Sequence, residues 1–314
     1  MKTEYVPLSH EICHHYFNNG GCTFCFFKNC KFVSKDKIGL DAMFEDFDSF
    51  ADKNLDAILK HDRIDMAPNG SWFPQIPVEL RYHIYDFVEK KKIGILSYEL
   101  RATMFNLDKA YKELEIMCSK RYSDKGTAQK KLEKNLEDIK RGMNEVKEGH
   151  VVYFGLEVAN NEDLNTLNKG CSLEDYESAS EEVINKGGKV GVNILIAPPC
   201  IENPVKKVFE SVKYAANVLN VEEIYLFACI PGKGTKAYNE WKKGSWNPVS
   251  ATAASEVYRI TKEKYPDIRV KYNSMRVFNF HGRYGKFKRK VRPWSDEEKT
   301  RERKKVRNVA EHIF

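Results

Sequence analysis

The chain has 314 residues, 42% of them hydrophobic and 31% charged, with eight cysteines and a net charge of +7. That is enough apolar content for one large core, or for a main domain with a small appendage. No stretch approaches the roughly 20 apolar residues that cross a bilayer, and Met1-Lys2-Thr3-Glu4-Tyr5 lacks the apolar run of a secretory signal. A soluble, cytoplasmic protein without membrane association is therefore expected, and its thiols should be reduced or metal-bound rather than paired in disulfides. The charge is uneven. From His281 to Phe314 there are 12 Lys/Arg against 5 Asp/Glu, while the preceding residues carry 40 of each sign. Such a tail suits a polyanion, RNA above all, or is a solvated charged final helix.

Along the chain, Tyr5-Val6-Pro7-Leu8 reads as a short strand leading into a cysteine-rich loop. Apolar residues at helical spacing from Met43 to Leu59 predict a helix over 41–60. Arg63-Ile64-Asp65-Met66 is a short strand ending in the turn Ala67-Pro68-Asn69-Gly70-Ser71, and Pro77 opens a helix to about Lys91. Ile93 to Leu100 is a buried strand, and Asp108 is a candidate cap for the helix after it. The highly charged stretch 120–147 predicts an exposed helical excursion held by i,i+4 charge pairs. Further strands are predicted at 151–158, 189–197, 221–230 and 267–272, alternating with helices at 172–186, 204–219 and 250–264. Alternating strands and helices imply βα units and a parallel sheet, with chemistry at the C-terminal strand ends.

Four of the eight cysteines fall within the 18 residues from Cys13 to Cys30. Cys13, Cys22 and Cys25 are spaced C-x8-C-x2-C, and Gly20-Gly21 lets the backbone turn tightly around the sulfurs. Three thiolates can hold three irons of a [4Fe-4S] cluster and leave the fourth iron open. Zinc accepts the same donors, using Cys13, Cys22, Cys25 and Cys30, with His14 or His15 able to replace one. What favours iron–sulfur is the long α/β pattern downstream, which small zinc modules lack.

This loop resembles that of the radical S-adenosylmethionine (SAM) superfamily. The long first gap is similar to the group containing the radical-SAM enzyme of archaeosine formation (RaSEA) and the catalytic subunit of Elongator. Supporting marks are Asn69-Gly70-Ser71-Trp72-Phe73 with Ile76-Pro77-Val78-Glu79, Gly155-Leu156-Glu157 with Leu167-Asn168-Lys169-Gly170, and Asn193-Ile194-Leu195-Ile196-Ala197-Pro198-Pro199. Two features depart from that group: the excursion at 120–147 is longer than expected, and the turn Ser97–Ala102 has no proline. At 314 residues the chain is expected to be too short for Elongator's added acetyltransferase domain.

The resemblance implies a partial (βα)6 parallel barrel over residues 1–275, interrupted by the excursion at about 120–148, and a basic C-terminal extension over 276–314. It implies a [4Fe-4S] cluster on Cys13, Cys22 and Cys25 that passes an electron to SAM and yields a 5′-deoxyadenosyl radical. It places Phe24 near the adenine and Asn69, Gly70 and Ser71 near the SAM amino group. Glu157 would bind a ribose hydroxyl, although a salt bridge would equally satisfy a carboxylate buried at a strand end. Glu99 and Arg101 would either pair or touch the SAM carboxylate, and Asn193 would face the pocket or a backbone group. The implied substrate is tRNA, with cleavage of a lysine C–N bond on a 7-deazaguanine base after a partner transferase has added the lysine. An electron donor is also required. The rival readings are a radical SAM enzyme acting on another RNA base or a small molecule, and a non-catalytic, metal-stabilised RNA-binding protein.

Overall fold

The computed structural model describes residues 22–25, 39–66, 71–272 and 295–314. The predicted strand at Tyr5, together with Cys13, His14, His15, Cys30, Asn69, Gly70 and the basic run from Arg283 to Arg292, lies outside the described residues. In chain order the elements are α1 (Leu40–His61), β1 (Arg63–Met66), a single turn (Trp72–Gln75), α2 (Val78–Lys90), β2 (Ile95–Leu100), a 3-10 turn (Ala102–Phe105), α3 (Leu107–Arg121), α4 (Lys125–Glu145) and β3 (His150–Glu157). They continue with α5 (Asn161–Thr166), α6 (Leu173–Asn185), β4 (Lys189–Ile196), α7 (Pro204–Asn217), β5 (Glu223–Ala228), α8 (Lys236–Lys243), α9 (Ala251–Lys264), β6 (Arg269–Tyr272) and α10 (Asp296–Glu311). Strand order is β1-β2-β3-β4-β5-β6, and the recorded pairs are parallel. This is the topology of a partial (βα)6 barrel, as the sequence predicts.

The described residues pack as two compact units. One comprises 39–66, 71–155 and 174–190; the other comprises 22–25, 156–173, 191–272 and 295–314. Register explains the composition of the strands. In the first unit Asp65 sits opposite Ser97 and Glu99 opposite Tyr153. With a period of two, Arg63, Asp65, Ser97 and Glu99 share one sheet face, while Ile64, Met66, Leu96, Tyr98 and Leu100 share the other. In the second unit Asn193 pairs with Tyr225, and Glu223 with Arg269. There Asn193, Glu223, Tyr225 and Lys271 occupy one face, opposite Val192, Ile194, Ile224 and Leu226. Both faces are largely buried, as parallel strands require.

Local signals account for most boundaries. Asp62, left-handed at φ 49°, ends α1. Helix α3 is capped by Asn106, whose side chain accepts from the Lys109 N–H; Asp108, the expected cap, lies in the first turn, where its charge complements the helix dipole. Asp124 caps α4 and Ser250 caps α9.

Helix α4 is the expected excursion, but its stabilisation differs from the expectation. Among the described residues it makes no i,i+4 ion pair, and its i,i+4 link is the hydrogen bond from Gln129 to Glu133 at 2.8 Å. Leu132, Ile139 and Gly142 bury against neighbouring elements instead, and two of its acids reach across the chain. Asp138 and Glu145 accept four hydrogen bonds, two each, from the fully buried Arg81 of α2 at 2.7 to 3.2 Å.

In the second unit, the charged final helix is real and docked. Ser295 and Glu298 form a reciprocal capping box. Val306 and Ala310 are buried, Arg307 donates to Glu256 at 2.5 Å, and Phe314 meets Phe209 and Tyr265 edge-on. Its outer side keeps Arg301, Arg303, Lys304 and Lys305 exposed.

Candidate functional site

The second unit contains the cysteine turn. Cys22, Thr23, Phe24 and Cys25 are all half-buried, and the Cys25 N–H donates to the Cys22 carbonyl at 3.1 Å. The turn is tied at Thr23 in two directions. The Thr23 N–H donates to the Leu167 carbonyl after α5 at 3.0 Å, and the Thr23 carbonyl accepts from the Ala237 N–H in the first turn of α8 at 3.3 Å. Both thiols are thus held on backbone hydrogen bonds that do not involve the sulfurs.

Glu157 ends β3 in the same unit. Its backbone is left-handed, at φ 65°, a conformation that costs a non-glycine residue energy. Its side chain is buried and lies 3.3 Å from Lys169 Nζ, itself buried after α5. Burial pushes the Glu157 carboxyl up from the ordinary range, and the Lys169 ammonium opposes that. The nearby Cys229 thiol is also pushed up, by burial first and by Glu157 second. Of the two partners foreseen for Glu157, the structure therefore contains the salt bridge. At the end of β4, Ala197 is left-handed as well, at φ 53°, and its carbonyl accepts from Trp246 Nε1 at 3.3 Å. Asn193 is 7% exposed within β4.

In the first unit, Ser71 is 1% exposed; its hydroxyl accepts from the Arg101 N–H at 3.1 Å, and its own N–H donates to Gln75 Oε1 at 2.6 Å. The bond from Arg101 ties the turn that opens at Ser71 to the residue after β2. The Arg101 guanidinium donates to Glu113 of α3 at 3.2 Å. Glu99, half-buried, shares a sheet face with Ser97. The Ser97 hydroxyl donates to Asp65, which also accepts from Arg63 at 2.5 Å.

The structure thus groups Cys22, Phe24, Cys25, Glu157 and Asn193 in one unit and Ser71, Glu99 and Arg101 in the other. Sequence reasoning gave no role to Lys169, Asp65 or Ser97. The signal for Lys169 was available in the need of a buried strand-end carboxylate for a partner. Asp65 and Ser97 become neighbours only through strand register.

The donors at the turn fit a soft-metal site. Thiolates at C-x2-C spacing suit an iron–sulfur cluster or zinc. Among the described residues no three His, Cys, Asp or Glu side chains converge as a metal site. A third thiolate would come from Cys13.

No family model matches the chain. Over 120 residues it is 23% identical to the tRNA uridine(34) acetyltransferase of Methanocaldococcus jannaschii, a match covering 37% of this chain and 21% of that protein. The chain therefore spans about one fifth of that relative's length. Among solved structures it is similar to a queuine lyase from Clostridium spiroforme bound to SAM and queuine, at 16% identity and a TM-score of 0.46, covering 87% of this chain and 92% of that one. It is similar to the archaeal Methanocaldococcus infernus Elp3, at 16% identity and a TM-score of 0.44, covering 74% and 58%. A third likeness is to the radical SAM methyltransferase TsrM from Kitasatospora setae with cobalamin and a [4Fe-4S] cluster bound, at 15% identity and a TM-score of 0.41, covering 71% and 35%. With TM-scores below 0.5, the weight rests on this chain's own residues. No helix among the described residues is long and apolar enough to cross a membrane.

Proposed function

We propose that this chain is a radical SAM enzyme acting on RNA, with archaeosine-type cleavage of a lysine C–N bond on a tRNA 7-deazaguanine base as its reaction. The observation that carries the first part is the thiol turn, Cys22 to Cys25, tied to Leu167 and Ala237 in the unit that also buries Glu157. When bound, a [4Fe-4S] cluster and SAM supply a 5′-deoxyadenosyl radical able to abstract a hydrogen atom from substrate.

The chain's own residues bind, orient and exclude water. Cys13, Cys22 and Cys25 would hold the metal. The Thr23 hydrogen bonds anchor the backbone turn that carries two of those cysteines. Phe24 offers an aromatic face to the adenine. Glu157, paired with Lys169, would accept a hydrogen bond from a ribose hydroxyl. Asn69, Gly70, Ser71, Glu99, Arg101 and Asn193 are proposed to contact the amino-acid end or the pocket wall. An RNA substrate is supported by the partial match to a tRNA-modifying protein and by the basic extension over 276–314. A transferase partner and an electron donor complete the proposal.

The test is anaerobic reconstitution with iron and sulfide, reduction, and addition of SAM while 5′-deoxyadenosine and the EPR spectrum are followed. Formation of 5′-deoxyadenosine that Cys22→Ala abolishes supports the enzyme, and lysine-modified tRNA is then the substrate to assay. Tightly bound zinc, no cluster signal and no response to SAM would overturn it in favour of a metal-stabilised RNA binder.

A further inference from the structure

The excursion that departs from the family pattern builds a groove of its own. A cavity of about 350 Å³ lies in the first unit, between α3, α4 and the Pro74–Glu79 segment. Its apolar lining is Pro74, Pro77, Val78 and Met117. One wall is a single face of α4, on which Lys131, Lys134, Asn135, Asp138 and Arg141 recur at i, i+3, i+4, i+7 and i+10. Tyr122, just past α3, also lines it, with the Arg121 guanidinium 5.8 Å from its ring centroid.

The charges on that wall are unequal in availability. Asp138 is already committed to Arg81 through two hydrogen bonds. Glu79 and Glu137 remain as acids in the lining. Against them stand Arg121 and three exposed cations, Lys131, Lys134 and Arg141, that form no ion pair among the described residues. Glu137 stands three residues after Lys134 and four before Arg141, within helical reach of both, yet pairs with neither. Three cations of one helix face without an ion pair among the described residues, beside apolar lining and an aromatic ring, match one ligand chemistry: phosphates for the cations and a flat, apolar-faced base for the ring.

We propose that this groove binds a single-stranded segment of RNA, with phosphodiesters along Lys131, Lys134 and Arg141 and a base against Tyr122. This rests on the reading of the chain as an RNA-acting enzyme, and it locates a contact separate from the basic tail. A single strand fits better than a duplex because a base must leave its stack to reach the ring.

The experiment measures binding of the full reconstituted protein to a fluorescent single-stranded RNA oligomer across a salt series, for wild type, K131Q/K134Q/R141Q and Y122L. Neutralising three phosphate contacts should weaken binding roughly tenfold to a hundredfold and reduce the log–log salt slope by about 2. Y122L should weaken binding while leaving the slope unchanged, because stacking releases no counterions. The three cations are exposed, so unchanged thermal melting keeps the comparison clean. Unchanged affinity and slope in the triple variant, or no binding of the oligomer at all, overturns the proposal. Equal competition by a mononucleotide at the same phosphate concentration would also overturn it, assigning the groove to free nucleotides rather than a strand. Formation of 5′-deoxyadenosine without RNA is measured on the same samples; it reports on the enzyme reading independently, since these residues lie outside the proposed cofactor site.

Discussion

Two buried polar clusters in this molecule solve opposite problems. In the first unit, Arg81 is fully buried, yet all its visible donors are used: Asp138 and Glu145 take the guanidinium fork, and the Ile76 carbonyl takes one more at 2.7 Å. Burial alone would lower its pKa, and the two carboxylates more than reverse that, so it stays charged. Around it, Trp72 Nε1 donates to the Tyr85 hydroxyl at 2.9 Å, which donates to Glu145 at 2.9 Å. Trp72 also stacks on Tyr98, 4.9 Å between centroids. In the second unit, Glu157 has a raised pKa, a left-handed backbone and, among the described residues, one cation at 3.3 Å. The first cluster is satisfied and relaxed, which is what a structural network needs. The second is strained and only partly compensated, which is the condition in which a buried carboxylate can gain from a ligand.

The comparison breaks first at Arg81. Arg81→Met should destabilise the fold by about 3–5 kcal/mol, because it leaves two carboxylates buried without their cation. Chemical denaturation checks this, and a cost near that of a surface substitution would show that the cluster is decoration.

Acid should act on the same region next. His150 sits 3.2 Å from the Tyr98 hydroxyl, and burial, aided by Lys147, lowers its pKa from 6.5 to about 4. The folded state therefore holds it neutral while the unfolded chain takes up a proton. Its contribution is complete above pH 6.5 and is lost as pH falls toward 4, amounting to about 3 kcal/mol. A His150→Gln variant should lose this part of the acid dependence in pH-resolved melts; an unchanged profile would assign it to other groups.

Glu157→Gln sharpens the other side of the comparison. It should weaken SAM binding by about 1.5–3 kcal/mol, the usual worth of a hydrogen bond to a charged group. Its effect on folding should be smaller than that of Arg81→Met. Calorimetric titration and melting of the same protein separate the two, and a loss of fold with intact SAM affinity would make Glu157 structural.

The smallest effect should come from Ala197→Gly. Relief of its left-handed backbone should stabilise by about 0.5–1 kcal/mol. A destabilisation instead would mean that the Trp246 contact, not the backbone angle, sets the energy there.

Much of this molecule was legible from the chain alone. Every strand from Arg63 onward was found because buried parallel strands are short apolar runs between helical periods. The helix starts at Pro204 and Ser250 were readable because they are set by residues a few positions apart. Asp108 was mistaken for the α3 cap because two competent residues, Asn106 and Asp108, stand two apart, and only backbone geometry chooses between them. The stabilisation of α4 was misread for a deeper reason. Its acids could pair within the helix or with a distant arginine, and local spacing does not reveal a fully buried Arg81 57 to 64 positions away.

What the sequence by itself determined is the periodicity: the βα alternation, the thiol spacing of Cys13, Cys22 and Cys25, and the basic bias of the tail. These depend on neighbours along the chain. Tertiary structure decided the partners: Lys169 for Glu157, Ser97 for Asp65, Leu167 and Ala237 for Thr23, and the docking of α10 through Val306, Ala310 and Phe314. Each joins residues that become neighbours only in the folded chain, and for Ser97 and Asp65 a one-residue slip in register would have turned the two side chains to opposite sheet faces.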